Sequence, residues 1–78
     1  MRERQKKLVI TFRTTAGAMA MEKYCHEESL PGRLIPVPRT ITAGCGMCWT
    51  ASPEYRGGLE ELLVRRQLDA DGVYELML

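Results

Sequence analysis

The spacing of apolar residues changes several times along this 78-residue chain, and the order of these changes limits the folds open to it. Apolar residues at every second position, as in residues 8–12, indicate a strand, whereas apolar residues at every third or fourth position indicate a helix. Capping residues at Thr14 or Thr15 and at Ser52 mark the two helix starts. The predicted segments are a strand at 7–12, a helix at 16–28, a strand at 33–37, a strand from the cysteine turn 44–46 to 51, a helix from 52–54 to 68, and a strand at 73–77.

This β-α-β-β-α-β order predicts an α+β ferredoxin-like sandwich, in which a four-stranded antiparallel sheet carries two helices on one face. The first and third strands are expected in the centre of the sheet. The second strand contains Pro36, which cannot donate a backbone hydrogen bond, so we expect it at an edge.

Size and composition predict one domain over residues 1–78, with 1–6 frayed, and an ordinary globular balance of 45% hydrophobic and 27% charged residues. Eleven basic against ten acidic residues leave a net charge of +1, which argues against nucleic acid as a partner. The sequence lacks an apolar run of the roughly 20 residues needed to cross a bilayer, and its N-terminus is charged. These features predict no membrane association and a cytoplasmic location.

The turn Gly44-Cys45-Gly46 concentrates the unusual residues of the chain. Glycines on both sides of a cysteine let a reacting partner approach closely, and exposed backbone N–H groups could stabilise a thiolate. Arg39, a few residues upstream, is a candidate cationic neighbour. Cys45 is therefore the candidate nucleophile; the alternative is a tight turn that happens to hold a small apolar residue.

Cys45 and Cys48 form a C-x-x-C pair, which in a helix-opening turn is typical of redox dithiols. On an extended strand, three residues advance the backbone about 10 Å and direct the two side chains to opposite faces. We therefore expect Cys48 to be a half-buried strand residue that turns away from Cys45, with a resolving or auxiliary thiol as the alternative. Cys25-His26 has poor spacing for a zinc site, so Cys25 should pack in the core, His26 should be solvated, and no metal or cofactor is predicted.

Four segments of the chain carry a family resemblance: Ile10-Thr11-Phe12, Arg33-Leu34-Ile35-Pro36-Val37-Pro38-Arg39, Ala43-Gly44-Cys45-Gly46 and Gly72-Val73-Tyr74-Glu75-Leu76. Through them the chain resembles the selenium/sulfur (Se/S) carrier protein-like family of short bacterial domains, over nearly its whole length from Leu8 to Leu76. Cys48 and the pair Gly57-Gly58 are departures from the family pattern. The resemblance implies that Cys45 holds sulfur or selenium as a persulfide or selenopersulfide.

The leading hypothesis is a carrier rather than a stand-alone enzyme, which exchanges its cargo with donor and acceptor proteins and can form a homodimer. In that hypothesis Arg39 and the Gly46 N–H favour the anionic forms of Cys45. The alternatives are a non-catalytic protein-binding module with a structural cysteine turn, and a redox dithiol formed by Cys45 and Cys48.

Overall fold

The computed structural model describes residues 4–41 and 44–78, and its element order is the predicted β-α-β-β-α-β. Four antiparallel strands form one sheet, which confirms the predicted ferredoxin-like α+β fold. The elements are β1 (Lys6–Phe12), α1 (Thr15–Glu27), β2 (Arg33–Pro36), β3 (Met47–Ala51), a 3-10 turn (Pro53–Tyr55), α2 (Arg56–Arg65) and β4 (Ala70–Met77).

The strand order β2-β3-β1-β4 places β1 and β3 in the centre and β2 at an edge, as predicted. Val37 continues the β2–β3 ladder, because its N–H donates to the carbonyl of Gly46 at 3.0 Å. Backbone groups alternate along an antiparallel strand, so residue 36 directs its nitrogen away from the sheet. A proline is tolerated there because no ladder hydrogen bond is lost.

The core lies between the sheet and the two helices, which cover one face. Leu8, Ile10 and Phe12 of β1 are fully buried, because alternate residues of a strand share a face. Burial of each such side chain stabilises the fold by about 1.5–3 kcal/mol. Their partners from the other elements are Ala18, Met21 and Cys25 of α1, Trp49 and Ala51 of β3, and Leu59, Leu62 and Leu63 of α2.

The second helix is shorter than predicted. Residues 53–55 form a 3-10 turn, and α2 begins only at Arg56, with Gly57 and Gly58 in its first turn. Glycine weakens a helix by up to about 1 kcal/mol, which is consistent with the irregular start. The helix ends at Arg65 instead of 68 because Gln67 adopts a positive φ of 55°.

The other boundaries shift by one to three residues. Thr14 caps α1, since its hydroxyl accepts the N–H of Gly17 at 3.1 Å, and α1 starts and ends one residue before the predicted range. β4 starts at Ala70, next to an irregularity in its pairing with β1 between Thr11 and Phe12. Gln5 pairs with Leu78, so pairing reaches into the segment predicted to be frayed.

The face of the sheet opposite the helices is also closely packed in its centre. Val9 and Thr11 of β1 lie beside Cys48 and Thr50 of β3, and all four are buried. We call this the open face, since α1 and α2 pack against the other side. In the described parts of the chain, neither helix has the length and apolarity to cross a membrane.

Candidate functional site

The cysteine turn lies at the end of the sheet where β1 finishes and α1 begins. Because Thr11 pairs with Cys48 in the antiparallel register, the residues before Cys48 lie beside the residues after Thr11. A Cβ added to Gly44 would lie 2.9 Å from the carbonyl oxygen of Arg13, closer than real Cβ contacts allow. The loop between β1 and α1 therefore packs directly against the turn and requires glycine at position 44.

Gly46, on the other side of the cysteine, is required for a different reason. Its φ is +78°, a left-handed conformation that a residue with a Cβ adopts only with strain. A Cβ at this position would meet no atom within 4 Å among the described residues. A side chain at position 44 would thus collide with the Arg13 backbone, whereas a side chain at position 46 would have free space around it.

Cys45 itself is half-buried, and its side chain packs against the edge of the helix-side core. Its Sγ accepts the N–H of Met47 at 3.4 Å, and its thiol donates to the Met47 carbonyl at 3.1 Å. When the thiol loses its proton the N–H remains a donor to the negative sulfur, which is a charge-assisted contact. The N–H that reaches the sulfur therefore belongs to Met47, whereas the sequence pointed to Gly46.

Cys48 lies on the open face, in register with Thr11 and Ile35. Its neighbours Met47 and Trp49 pack with the helix-side core, so alternation along β3 directs Cys48 to the other side of the sheet. Burial raises the pKa of the Cys48 thiol to about 11, and negative charge on the nearby Cys45 adds to the increase. The two cysteines are not bonded to each other.

The pair Cys25-His26 is split between core and solvent, as predicted: Cys25 is fully buried and His26 is exposed. Burial, with a smaller contribution from Glu28, raises the pKa of Cys25 to about 11. Over residues 4–41 and 44–78, no three His, Cys, Asp or Glu side chains are grouped so that they could hold a metal ion.

Arg39 follows β2 and has an exposed side chain. Its turn is closed by the N–H of Ile41, which donates to the carbonyl of Pro38 at 3.0 Å. Among the described residues, Cys45 Sγ hydrogen-bonds to Met47 and not to Arg39, so a role for Arg39 stays a prediction. Thr42 and Ala43, which belong to the predicted reactive segment, lie outside the described residues.

Sequence reasoning missed the loop at Arg13. The Arg13 side chain reaches Asp69 and Asp71 at the start of β4, each at 3.4 Å, so the loop that supports the turn is tied to the far edge strand. The available signal was the Thr14 cap directly after β1, which places the start of α1 at the same end of the sheet as the turn.

The description "Putative Se/S carrier protein-like" belongs to the family model that matches residues 7–75 of the chain. The chain belongs to this family. The family name describes a carrier of selenium or sulfur, a role that implies exchange with other proteins. No curated protein and no solved structure matches the chain.

Proposed function

We propose that this Se/S carrier-like chain transports sulfur or selenium as a persulfide or selenopersulfide on Cys45. The observation that carries the proposal is a half-buried thiol on a glycine-flanked turn, with a backbone N–H aimed at its sulfur, in a chain of this family. The cargo would pass between donor and acceptor proteins in the reducing cytoplasm, with the 78 residues acting as one domain.

Loading requires one exchange at sulfur. The Cys45 thiolate attacks the outer sulfur of a donor persulfide, a bond forms between Sγ and that sulfur, and the donor's S–S bond breaks. The donor leaves as a thiolate, and the transferred sulfur keeps its proton, so that Cys45 becomes a persulfide. Unloading repeats the step with an acceptor thiolate, which takes the outer sulfur and releases Cys45 as a thiolate.

The surroundings of Cys45 suit this exchange. The Met47 N–H, 3.4 Å from Sγ, can donate a hydrogen bond to the sulfur that attacks in loading and leaves in unloading. The free space beside Gly46 gives a donor room to approach.

The stability of the persulfide depends on whether Cys48 can react with it. A thiolate at this position could attack the inner sulfur of the Cys45 persulfide, release sulfide and leave a disulfide. Complete burial and a pKa of about 11 keep Cys48 in the unreactive thiol form near neutral pH. We therefore assign the carrier role to Cys45 and no resolving role to Cys48.

The proposal is tested by incubating the protein with a cysteine desulfurase and cysteine and measuring its mass. We expect a gain of one sulfur atom that is lost in Cys45→Ser. The Cys25→Ser and Cys48→Ser variants are matched controls and should gain the sulfur as the parent does. Retention of the adduct in Cys45→Ser would show that another residue carries it.

A further inference from the structure

A cleft of about 820 Å³ is lined by residues of β2, of the neighbouring strand β3 and of the start of β1, and Cys45 is not among its described lining residues. Its walls include the apolar side chains of Ile35 and Pro36. Three cationic residues, Arg4, Lys7 and Arg33, line it as well, and none of its lining side chains among residues 4–41 and 44–78 is acidic. We call it the β2 cleft.

The three cations of the β2 cleft differ from most others in the chain. Within residues 4–41 and 44–78, Arg4, Lys7 and Arg33 form no ion pair with a carboxylate. Lys7 is also half-buried, so its charge is not fully exposed to solvent. The cleft therefore holds three cationic side chains that pair with no described Asp or Glu. The cations that do form ion pairs are Lys6, Arg13, Arg56, Arg65 and Arg66.

The β2 cleft follows β2 towards the cysteine turn. Its lining residues on and beside β2 include Arg33 and Pro38, and the extended backbone between these two residues spans about 17 Å at about 3.3 Å per residue. Pro38 follows Val37, whose N–H is bonded to Gly46 of the turn. At the other end lie Arg4 and Lys7. A chain segment of five or six extended residues fits this length.

We infer that the β2 cleft docks an acidic, extended segment of a partner protein that exchanges cargo with Cys45. The inference deepens the proposed function, on which its choice of partner rests. The charge is complementary to carboxylates, and Ile35 and Pro36 give the segment an apolar wall. Since Pro36 offers no outward N–H, side chains rather than strand addition would hold the segment.

Nucleic acid fits this cleft less well than a protein segment. Three cations are a small number for a phosphate backbone, and the net charge of the chain is only +1. Tyr55 is the one aromatic residue among the described lining residues, which therefore form no platform on which successive bases could stack.

The test is the binding of a fluorescein-labelled hexaglutamate peptide, followed by fluorescence anisotropy at low salt. The double variant Lys7→Gln/Arg33→Gln should bind about tenfold more weakly than the parent. Lys6→Gln is the matched control, because it makes the same change one residue away, on the face of β1 where Lys6 pairs with Glu75. Lys6→Gln should bind as the parent does, and thermal unfolding should show all three proteins folded.

Three results would overturn the inference: no peptide binding by the parent, equal binding by the double variant, or equally tight binding of a six-residue oligothymidylate. Failure of the proposed function is distinguishable from these. Cys45→Ser should still bind hexaglutamate, and a low-molecular-weight persulfide should load Cys45 equally in the parent and in Lys7→Gln/Arg33→Gln. A protein that binds the peptide without loading Cys45 refutes the carrier role and leaves the docking cleft in place.

Discussion

At the scale of single residues, the three cysteines differ in exposure. Cys45 is half-buried on its turn, whereas Cys25 and Cys48 are completely buried and have pKa values of about 11. The sequence predicts the same ranking for Cys45 and Cys25, but it predicts a half-buried Cys48, whereas the structure buries Cys48 completely. Reactivity should follow the same ranking.

We expect iodoacetamide to modify Cys45 and to leave Cys25 and Cys48 unmodified in the folded protein at pH 8. At that pH a thiol with a pKa of about 11 is ionised in roughly one molecule per thousand, and burial also blocks the reagent. Peptide mapping by mass spectrometry measures the modification at each site. The Cys45→Ser variant should take up no label until it is unfolded, and native labelling of Cys48 would contradict the assignment.

The two glycines of the turn should respond differently to substitution. Gly44→Ala places a Cβ 2.9 Å from the Arg13 carbonyl and should cost about 1–3 kcal/mol of stability. Gly46→Ala meets open space and should cost about 1 kcal/mol, which comes from the φ of +78°. Urea unfolding measures both losses of stability. Equal losses would mean that the contact with the Arg13 carbonyl adds nothing to the cost of Gly44→Ala.

The sequence could predict that the turn needs glycine, but it could not predict that Gly44 and Gly46 respond differently to substitution. Glycines around a cysteine indicate a turn, which is local information. The crowding at Gly44 comes from Arg13, a residue far away in the chain that the β1–β3 register brings close. The same register explains why Arg13 was absent from the predicted site.

At the scale of elements, an ion pair joins the ends of the two helices. Glu28 directly follows α1 and accepts two hydrogen bonds of 2.8 Å from Arg65 at the end of α2, and a third of 3.1 Å from Arg66. These contacts, above all the hydrogen bonds from Arg65, lower the pKa of Glu28 to about 2. Helical spacing in the sequence does not reveal this contact, because it cannot show which helix ends meet.

Glu28 should make the stability of the protein depend on pH in the acidic range. Because its pKa falls from 4.5 in the unfolded chain to about 2, its contribution is complete above pH 4.5 and is lost as the pH falls towards 2. Thermal unfolding of Glu28→Gln should show a lower midpoint than the parent at pH 6 and a smaller difference at pH 3. Glu27→Gln is the control, since Glu27 is 3.9 Å from Arg66 and should change the midpoint less.

At the scale of the whole molecule, the sheet separates the core that Cys45 contacts from the open face that holds Cys48. The strand order could be predicted because chain order, handedness and one proline leave few arrangements open. The open face was beyond prediction: Val9, Thr11, Cys48 and Thr50 are buried there without a helix over them, which depends on how neighbouring side chains pack. Cys45 contacts the core on the helix side and Cys48 lies on the open face.

Because of this separation, we predict that Cys48 does not attack the persulfide on Cys45. The Cys45 persulfide should release sulfide at the same rate in the parent and in Cys48→Ser, as measured with a sulfide-sensitive probe. Treatment with diamide should form no disulfide between Cys45 and Cys48. Loss of two thiols per chain, prevented equally by Cys45→Ser and by Cys48→Ser, would instead establish a redox dithiol.

The asymmetric turn has a kinetic consequence. The Arg13 carbonyl crowds Gly44, and free space remains beside Gly46 among the described residues, so we expect a donor and an acceptor to use the same approach to Cys45. In the proposed carrier the two proteins cannot be bound at the sulfur together, and each competes with the other. Transfer then follows a ping-pong sequence in which the loaded chain must dissociate from its donor, so the lifetime of the free persulfide limits how far the cargo can travel.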